Sequence, residues 1–117
     1  MTTSDGPAFD RWDIGVALFP FTELAQSKPR PVLVLSTAGF NAAHGHVLAA
    51  MITTAAESRW DSDHAIRELS STGLKHASTI RWKLFTLPLE VVPRKIGRLG
   101  EEYRSLVAGR MASILLD

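Results

Sequence analysis

Before residue 100 the apolar residues of this chain come only in short runs, each closed by proline, glycine or a polar stretch. Such a pattern restricts the chain to short strands and argues against alternating β-α-β units. In Asp13-Ile14-Gly15-Val16-Ala17-Leu18-Phe19, residues Ile14, Val16 and Leu18 share one face at strand period. Pro20 then removes a ladder donor and closes the strand. A polar loop follows, ending in Lys28-Pro29-Arg30-Pro31, before the run Val32-Leu33-Val34-Leu35, short and β-favouring enough to be buried on both faces. Turn residues at 37–41 end it. Residues 46–54 form a third apolar run, whose β-branched end favours strand. Residues 55–64 read as a surface loop, 65–69 as a short strand and Gly73 as the centre of a loop. Two further strand segments, 79–82 and 84–87, are interrupted around Lys83 and stopped by Pro88. Five or six short strands with turns between them predict a small β-barrel.

The last segment has a different period. After Gly100, a plausible cap, Glu101 and Glu102 stand where the helix dipole favours anions, and Tyr103, Leu106, Val107, Arg110, Met111, Ile114 and Leu115 recur at helical spacing. An amphipathic helix is expected, packed on the barrel or on a second copy. Gly109 within it costs about 1 kcal/mol relative to alanine, which suggests close packing there.

At 117 residues and 45% hydrophobic content, the chain fits one core. Residues 1–10 are expected to be a flexible leader, and 11–117 a single domain. The absence of cysteine removes disulfides and thiolate metal sites. The polar, acidic start lacks the form of a signal sequence, and no apolar run nears the roughly 20 residues that span a bilayer. A soluble, cytoplasmic protein without membrane contact is expected. The net charge of +1 conceals a net of −3 over residues 1–74 and of +4 over 75–117, which suits either a polyanion on one face or scattered solvated side chains.

Phosphate-loop, dinucleotide, serine-hydrolase and zincin motifs are all missing. His44 and His46 would share a strand face, yet no carboxylate or cysteine completes a metal set. No metal or other cofactor is expected. Three polar residues remain at the ends of apolar strands: Arg30, Thr53 and Arg81. Arg30 is restricted by a proline on each side, and its guanidinium offers fixed donors that match phosphate oxygens. A salt bridge to Glu23 or to an aspartate is the equal alternative. Thr53 and Thr54 are expected chiefly as ordinary strand-end residues, though a hydroxyl there can donate to a phosphate or position a reacting hydroxyl, and Arg81 could equally be a candidate ligand or a solvated strand residue. Trp12, Trp60 and Trp82 are expected as core or interface anchors more than as surfaces for stacking bases.

The run DIGVALFPFTELAQSKPRPVLVLS, followed by FN at 40–41, MITT at 51–54, GL at 73–74, STIRWKLFTL at 78–87 and KIGRL at 95–99, resembles the PemK/MazF-type toxins of bacterial toxin–antitoxin pairs. The likeness spans about residues 12–115. It implies a mainly β (α+β) fold, a small SH3-like barrel of the CcdB/Kid/MazF type with a C-terminal helix. It further implies a homodimer that cuts single-stranded mRNA at short motifs without a metal and is silenced by a cognate antitoxin, with DNA reached only through that antitoxin. By the same resemblance Arg30 and Thr53 are catalytic, and Phe21, Thr22, Gln26, Ser27, Lys28, Thr54 and Arg81 line the RNA path, the 20–28 loop shaping the channel. Two positions depart from the pattern. Trp12 stands where a glycine commonly precedes the first-strand aspartate, and Arg81-Trp82-Lys83 lacks the carboxylate that one branch uses in proton transfer. Two rivals follow: a CcdB-like gyrase-binding toxin acting through residues 110–117, and a barrel that binds RNA or antitoxin but no longer cuts.

Overall fold

The computed structural model describes residues 6–19, 28–54 and 60–116. Six antiparallel strands form one curled sheet: β1 (Asp13–Phe19), β2 (Lys28–Val34), β3 (His46–Thr53), β4 (His64–Ile66), β5 (Ser78–Pro88) and β6 (Arg94–Arg98). Their order across the sheet is β4-β5-β3-β2-β1-β6, with β4 and β6 at the two margins, so the sheet is a half-barrel. Two helices join it, α1 (Ala38–His44) and α2 (Glu101–Leu116).

Both faces of the sheet are buried at its centre, as the continuous apolar run of β2 requires. Val32, Leu33, Val34 and Leu35 are at most 1% exposed. Leu33 and Leu35 join Ile14, Ile52, Ile80, Trp82, Leu99 and Val107 in the core beneath α2. Val32 and Val34 join Phe9, Ala17, Val47, Ala49, Leu87 and Val92 in a second core on the opposite face. Each fully buried side chain of this kind stabilises the fold by about 1.5–3 kcal/mol. Phe9 and Asp10 belong to the stretch expected to be a loose leader, yet Phe9 is buried and its carbonyl accepts from Asn41 Nδ2 at 2.9 Å.

Several elements differ from the sequence expectation, among them β4, which is His64–Ile66 and not 65–69. The turn at 37–41 is the start of α1, where Thr37 caps the first turn through its hydroxyl and Gly45 ends the helix in the left-handed conformation (φ 65°). β5 runs unbroken through Lys83, and the interruption there is a bulge opposite Ala50 and Met51. β6 carries little apolar patterning; its place is fixed by pairing with β1 and by the hydrogen bond from Arg98 N to Ser71 O at 2.8 Å. Gly97 allows that loop to lie against the strand, for a Cβ there would meet Ser71 and Thr72 backbone atoms at 2.4–2.5 Å.

α2 packs through a narrow stripe. Val107 is buried, with Tyr103 and Met111 beside it, while Leu106, Ile114, Leu115 and Leu116 stay exposed. The Tyr103 hydroxyl accepts from Arg67 N and Glu68 N, both at 2.9 Å, tying the helix to the segment after β4. Gly109 does not serve close packing here, since a Cβ would meet nothing within 4 Å.

Candidate active site on the curled sheet

Lys28-Pro29-Arg30-Pro31 is the first half of β2 and not the end of a loop. Strand alternation explains why two prolines fit there. Val34 O accepts from Trp12 N on the β1 side, and Leu35 N donates to Leu48 O on the β3 side, both at 2.8 Å. Even-numbered residues of β2 therefore turn their backbone groups to β1, and odd-numbered ones to β3. Pro29 and Pro31 point their missing donors at β3, so pairing with β1 continues unbroken from Leu33 to Lys28. On the β3 side the ladder reaches Val32–Met51 and stops. Continued two residues further, that register sets Arg30 opposite Thr53. Arg30, third in β2, and Thr53, last in β3, thus stand on adjacent strands beyond the last β2–β3 pair.

Side-chain alternation puts Arg30, Val32 and Val34 on one face, the face away from α2. Thr53 pairs across β3 with Thr79, and Met51 with Arg81. Arg30, Thr53, Thr79 and Arg81 therefore share a face at one end of the sheet. Arg30 and Thr53 are half-buried, whereas Lys28 and Thr54 are exposed beside them. Phe21, Thr22, Gln26 and Ser27 lie outside the described residues, as does Glu23.

Arg81 is not a solvated strand residue. It is 8% exposed, and its Nε and Nη2 donate to Asp63 Oδ1 and Oδ2 at 3.2 and 2.8 Å. Hydrogen bonding to Asp63 raises its pKa above an already high value, with the carboxylate charge acting in the same sense against the cost of burial. Asp63 also accepts from Trp60 N at 3.1 Å. The Arg81 guanidinium carbon lies 5.9 Å from the centre of the Trp60 ring. Asp63 is the residue that sequence reasoning missed: a carboxylate does stand beside the fifth-strand arginine, supplied from the loop before β4. No local spacing announces a pair formed across 18 residues.

Trp12 occupies a position whose backbone suits glycine. Its φ is +80°, a conformation that a bulky side chain rarely adopts. The backbone is held there by two bonds at 2.8 Å, Trp12 N to Val34 O and Leu99 N to Trp12 O. The next residue, Asp13, is buried and paired with Lys95 at 3.2 Å and Arg98 at 2.9 Å, which secures β6 to β1.

Among the described residues no three metal-ligating side chains gather, and His46 Nδ1 instead lies 2.7 Å from His44 O. No helix among them is long and apolar enough to cross a membrane. A separate apolar groove of about 420 Å³ runs between α2 and the sheet on the face away from Arg30, lined by Leu35, Phe40, Leu48, Met111 and Leu115 among others.

No curated protein sequence matches the chain. Solved structures do. The MazE–MazF complex of Deinococcus radiodurans (Form-II) superposes with a TM-score of 0.74 at 20% identity, covering 93% of this chain and 96% of that one. An endoribonuclease in complex with its cognate antitoxin from a mycobacterial species gives 0.72 at 16% identity, covering 92% and 93%. The Mycobacterium tuberculosis toxin MazF-mt6 gives 0.68 at 22% identity, covering 86% and 93%. These likenesses establish the MazF-like fold. The sequence model of the PemK-like, MazF-like toxins of type II toxin–antitoxin systems matches residues 10–115, nearly the whole chain, and the protein therefore belongs to that family.

Proposed function

We propose that this protein is a metal-independent endoribonuclease that cuts single-stranded mRNA at a short sequence motif, and that a cognate antitoxin holds it inactive. The ribose 2′-hydroxyl attacks the adjacent phosphorus, the bond to the 5′-oxygen breaks, and the products are a 2′,3′-cyclic phosphate and a free 5′-hydroxyl. Arg30 stabilises the charge on the pentacoordinate phosphorus, and Thr53 positions the reacting group. Lys28, Thr54 and the 20–28 loop, including Phe21, Thr22, Gln26 and Ser27, guide the strand.

What supports these roles is the register. Extended two residues past its last pair, Val32–Met51, the β2–β3 register would bring Arg30 opposite Thr53, on a face also carrying Arg81. A guanidinium held by a strand and two prolines needs little reorganisation when charge develops at phosphorus, and losing one such donor costs about 10²–10³ in kcat. Family membership supports the reaction class. The toxin is proposed to act in the cytoplasm as a homodimer, with the exposed leucines of α2 and their adjoining groove offering the apolar surface that a second copy would cover.

The experiment is cleavage of single-stranded RNA in EDTA by purified protein, with end-group mapping. Wild type should yield cyclic-phosphate and 5′-hydroxyl ends, and Arg30→Ala should stay folded and lose about 10²–10³ in kcat. Cutting by Arg30→Ala at the wild-type rate would overturn the assignment. RNA binding with no cut products would identify a binding module, and gyrase inhibition without RNA cleavage would identify a CcdB-like poison.

A further inference from the structure

We propose that Trp60 is a base-stacking platform in the RNA path, held in position by Asp63 and backed by Arg81. The inference rests on the endoribonuclease reading above and adds a specificity-determining residue to it.

Trp60 is 41% exposed, though an indole usually gains by burial. Its backbone is pinned in both directions, with Trp60 N donating to Asp63 Oδ2 at 3.1 Å and Asp63 N donating to Trp60 O at 3.0 Å. Neither partner is free to wander. Asp63 is clamped by Arg81, whose guanidinium carbon lies within cation–π reach of the ring at 5.9 Å. The result is a partly exposed aromatic ring on a fixed backbone, with a cation over it. Proteins that bind single strands use that combination to hold an unstacked base.

Charge decides which part of a nucleotide the subsite takes. Asp63 neutralises Arg81 locally, so the pair offers a phosphate much less than an unpaired arginine would. A base, with its large apolar faces, gains more there. Location decides which base. Arg81 lies opposite Met51, two residues or about 7 Å along β3 from Thr53, and on the face shared by Arg30. Trp60 stands beyond Arg81, on the β4 side of β5, so a base on it would lie on the face of the scissile phosphate but further along the bound strand. Trp60 thus differs from the anchor expected from sequence, and Arg81 acts by supporting the ring in place of binding phosphate itself.

The test compares wild type, Trp60→Phe and Trp60→Ala on a single-stranded RNA, and follows tryptophan fluorescence on titration with the same oligonucleotide carrying a 2′-deoxy group at the cut site. Trp60→Ala should raise KM on the order of tenfold with kcat changed little. It should also weaken the base preference at one position of the cut motif, while Trp60→Phe stays close to wild type in both. The oligonucleotide should quench fluorescence in wild type and much less in Trp60→Phe, a readout that holds even if the alanine variant folds poorly. Unchanged KM and cut pattern in a folded Trp60→Ala, or equal quenching in Trp60→Phe, would overturn the platform while leaving the cleavage reading intact. Wild type that neither binds nor cuts RNA would overturn both.

Discussion

Asp63 grips Arg81 side-on, one carboxylate oxygen to Nε and the other to Nη2, with both side chains at least 87% removed from solvent. A buried ion pair is weak as a source of stability but costly to break, because the surviving charge loses its partner without regaining water. Asp63→Ala should therefore lower Tm by several degrees. Asp63→Leu combined with Arg81→Met, which removes both charges, should recover most of that loss. Thermal melts by circular dichroism decide it, and a single variant as stable as wild type would mean that the pair does not hold β5 to its loop.

Trp12 sets conformational cost against packing. Relieving φ at +80° by Trp12→Gly gains about 1 kcal/mol. Removing a half-buried indole from the core beneath α2 costs more, given about 3–5 kcal/mol for truncating a fully buried large aromatic. A net loss of about 1–2 kcal/mol is expected in urea denaturation. A gain in stability would show that the indole contributes little where it lies.

The pH dependence of stability should have a histidine component. Burial first, and then the positive charge of Arg110, hold the His64 pKa below its ordinary 6.5, with the ring edge-on to Tyr103 at 6.0 Å. Below about pH 6.5 the unfolded chain takes up a proton that the folded protein resists. Stability should therefore be level above about pH 7 and fall as pH drops from 6.5 through the lowered value. Urea midpoints at pH 7.5 and 5.5 measure it. His64→Gln should flatten this part of the profile, and an identical slope in that variant would assign the effect elsewhere.

Gly97→Ala should destabilise by about 1–3 kcal/mol, the usual cost of overpacking, because the added methyl meets backbone of residues 71 and 72 and no flexible side chain. Gly109→Ala is the control: with open space around it, the substitution should raise stability by about 1 kcal/mol through helix propensity. If both variants melted alike, the loop would be yielding freely to the new methyl.

What the sequence disclosed follows from the range of the forces involved. β1 was readable to its last residue because alternation at Ile14, Val16 and Leu18 is local. α2 was readable from the helical spacing of Tyr103, Val107 and Met111 after Gly100, although Leu106, Ile114 and Leu115, assigned to the same stripe, stay exposed. α1 carried its signals, a capping Thr37 and a terminating Gly45, but its seven residues hold no apolar stripe to reveal a helix. Proline usually ends a strand, so 28–31 read as loop until register showed that both prolines face the side without a ladder. Arg30 and Thr53 each stand out locally, but only the β2–β3 register, extended past Val32–Met51, relates one to the other. Asp63 depends on folding across the sheet, beyond any window of neighbouring residues.

Those same prolines also bear on what kind of polymer the β3-facing margin of β2 before Val32 suits. An exposed strand margin ordinarily invites another peptide to zip on, through alternating donors and acceptors. At Pro29 and Pro31 the margin facing β3 keeps its carbonyls and lacks the N–H groups, so an incoming peptide would find only half a partner. Nucleic acid makes no such demand, since its phosphates draw donors from side chains. Two imino acids thus discourage stray β-strand addition beside Arg30 without penalising a chain of a different chemistry.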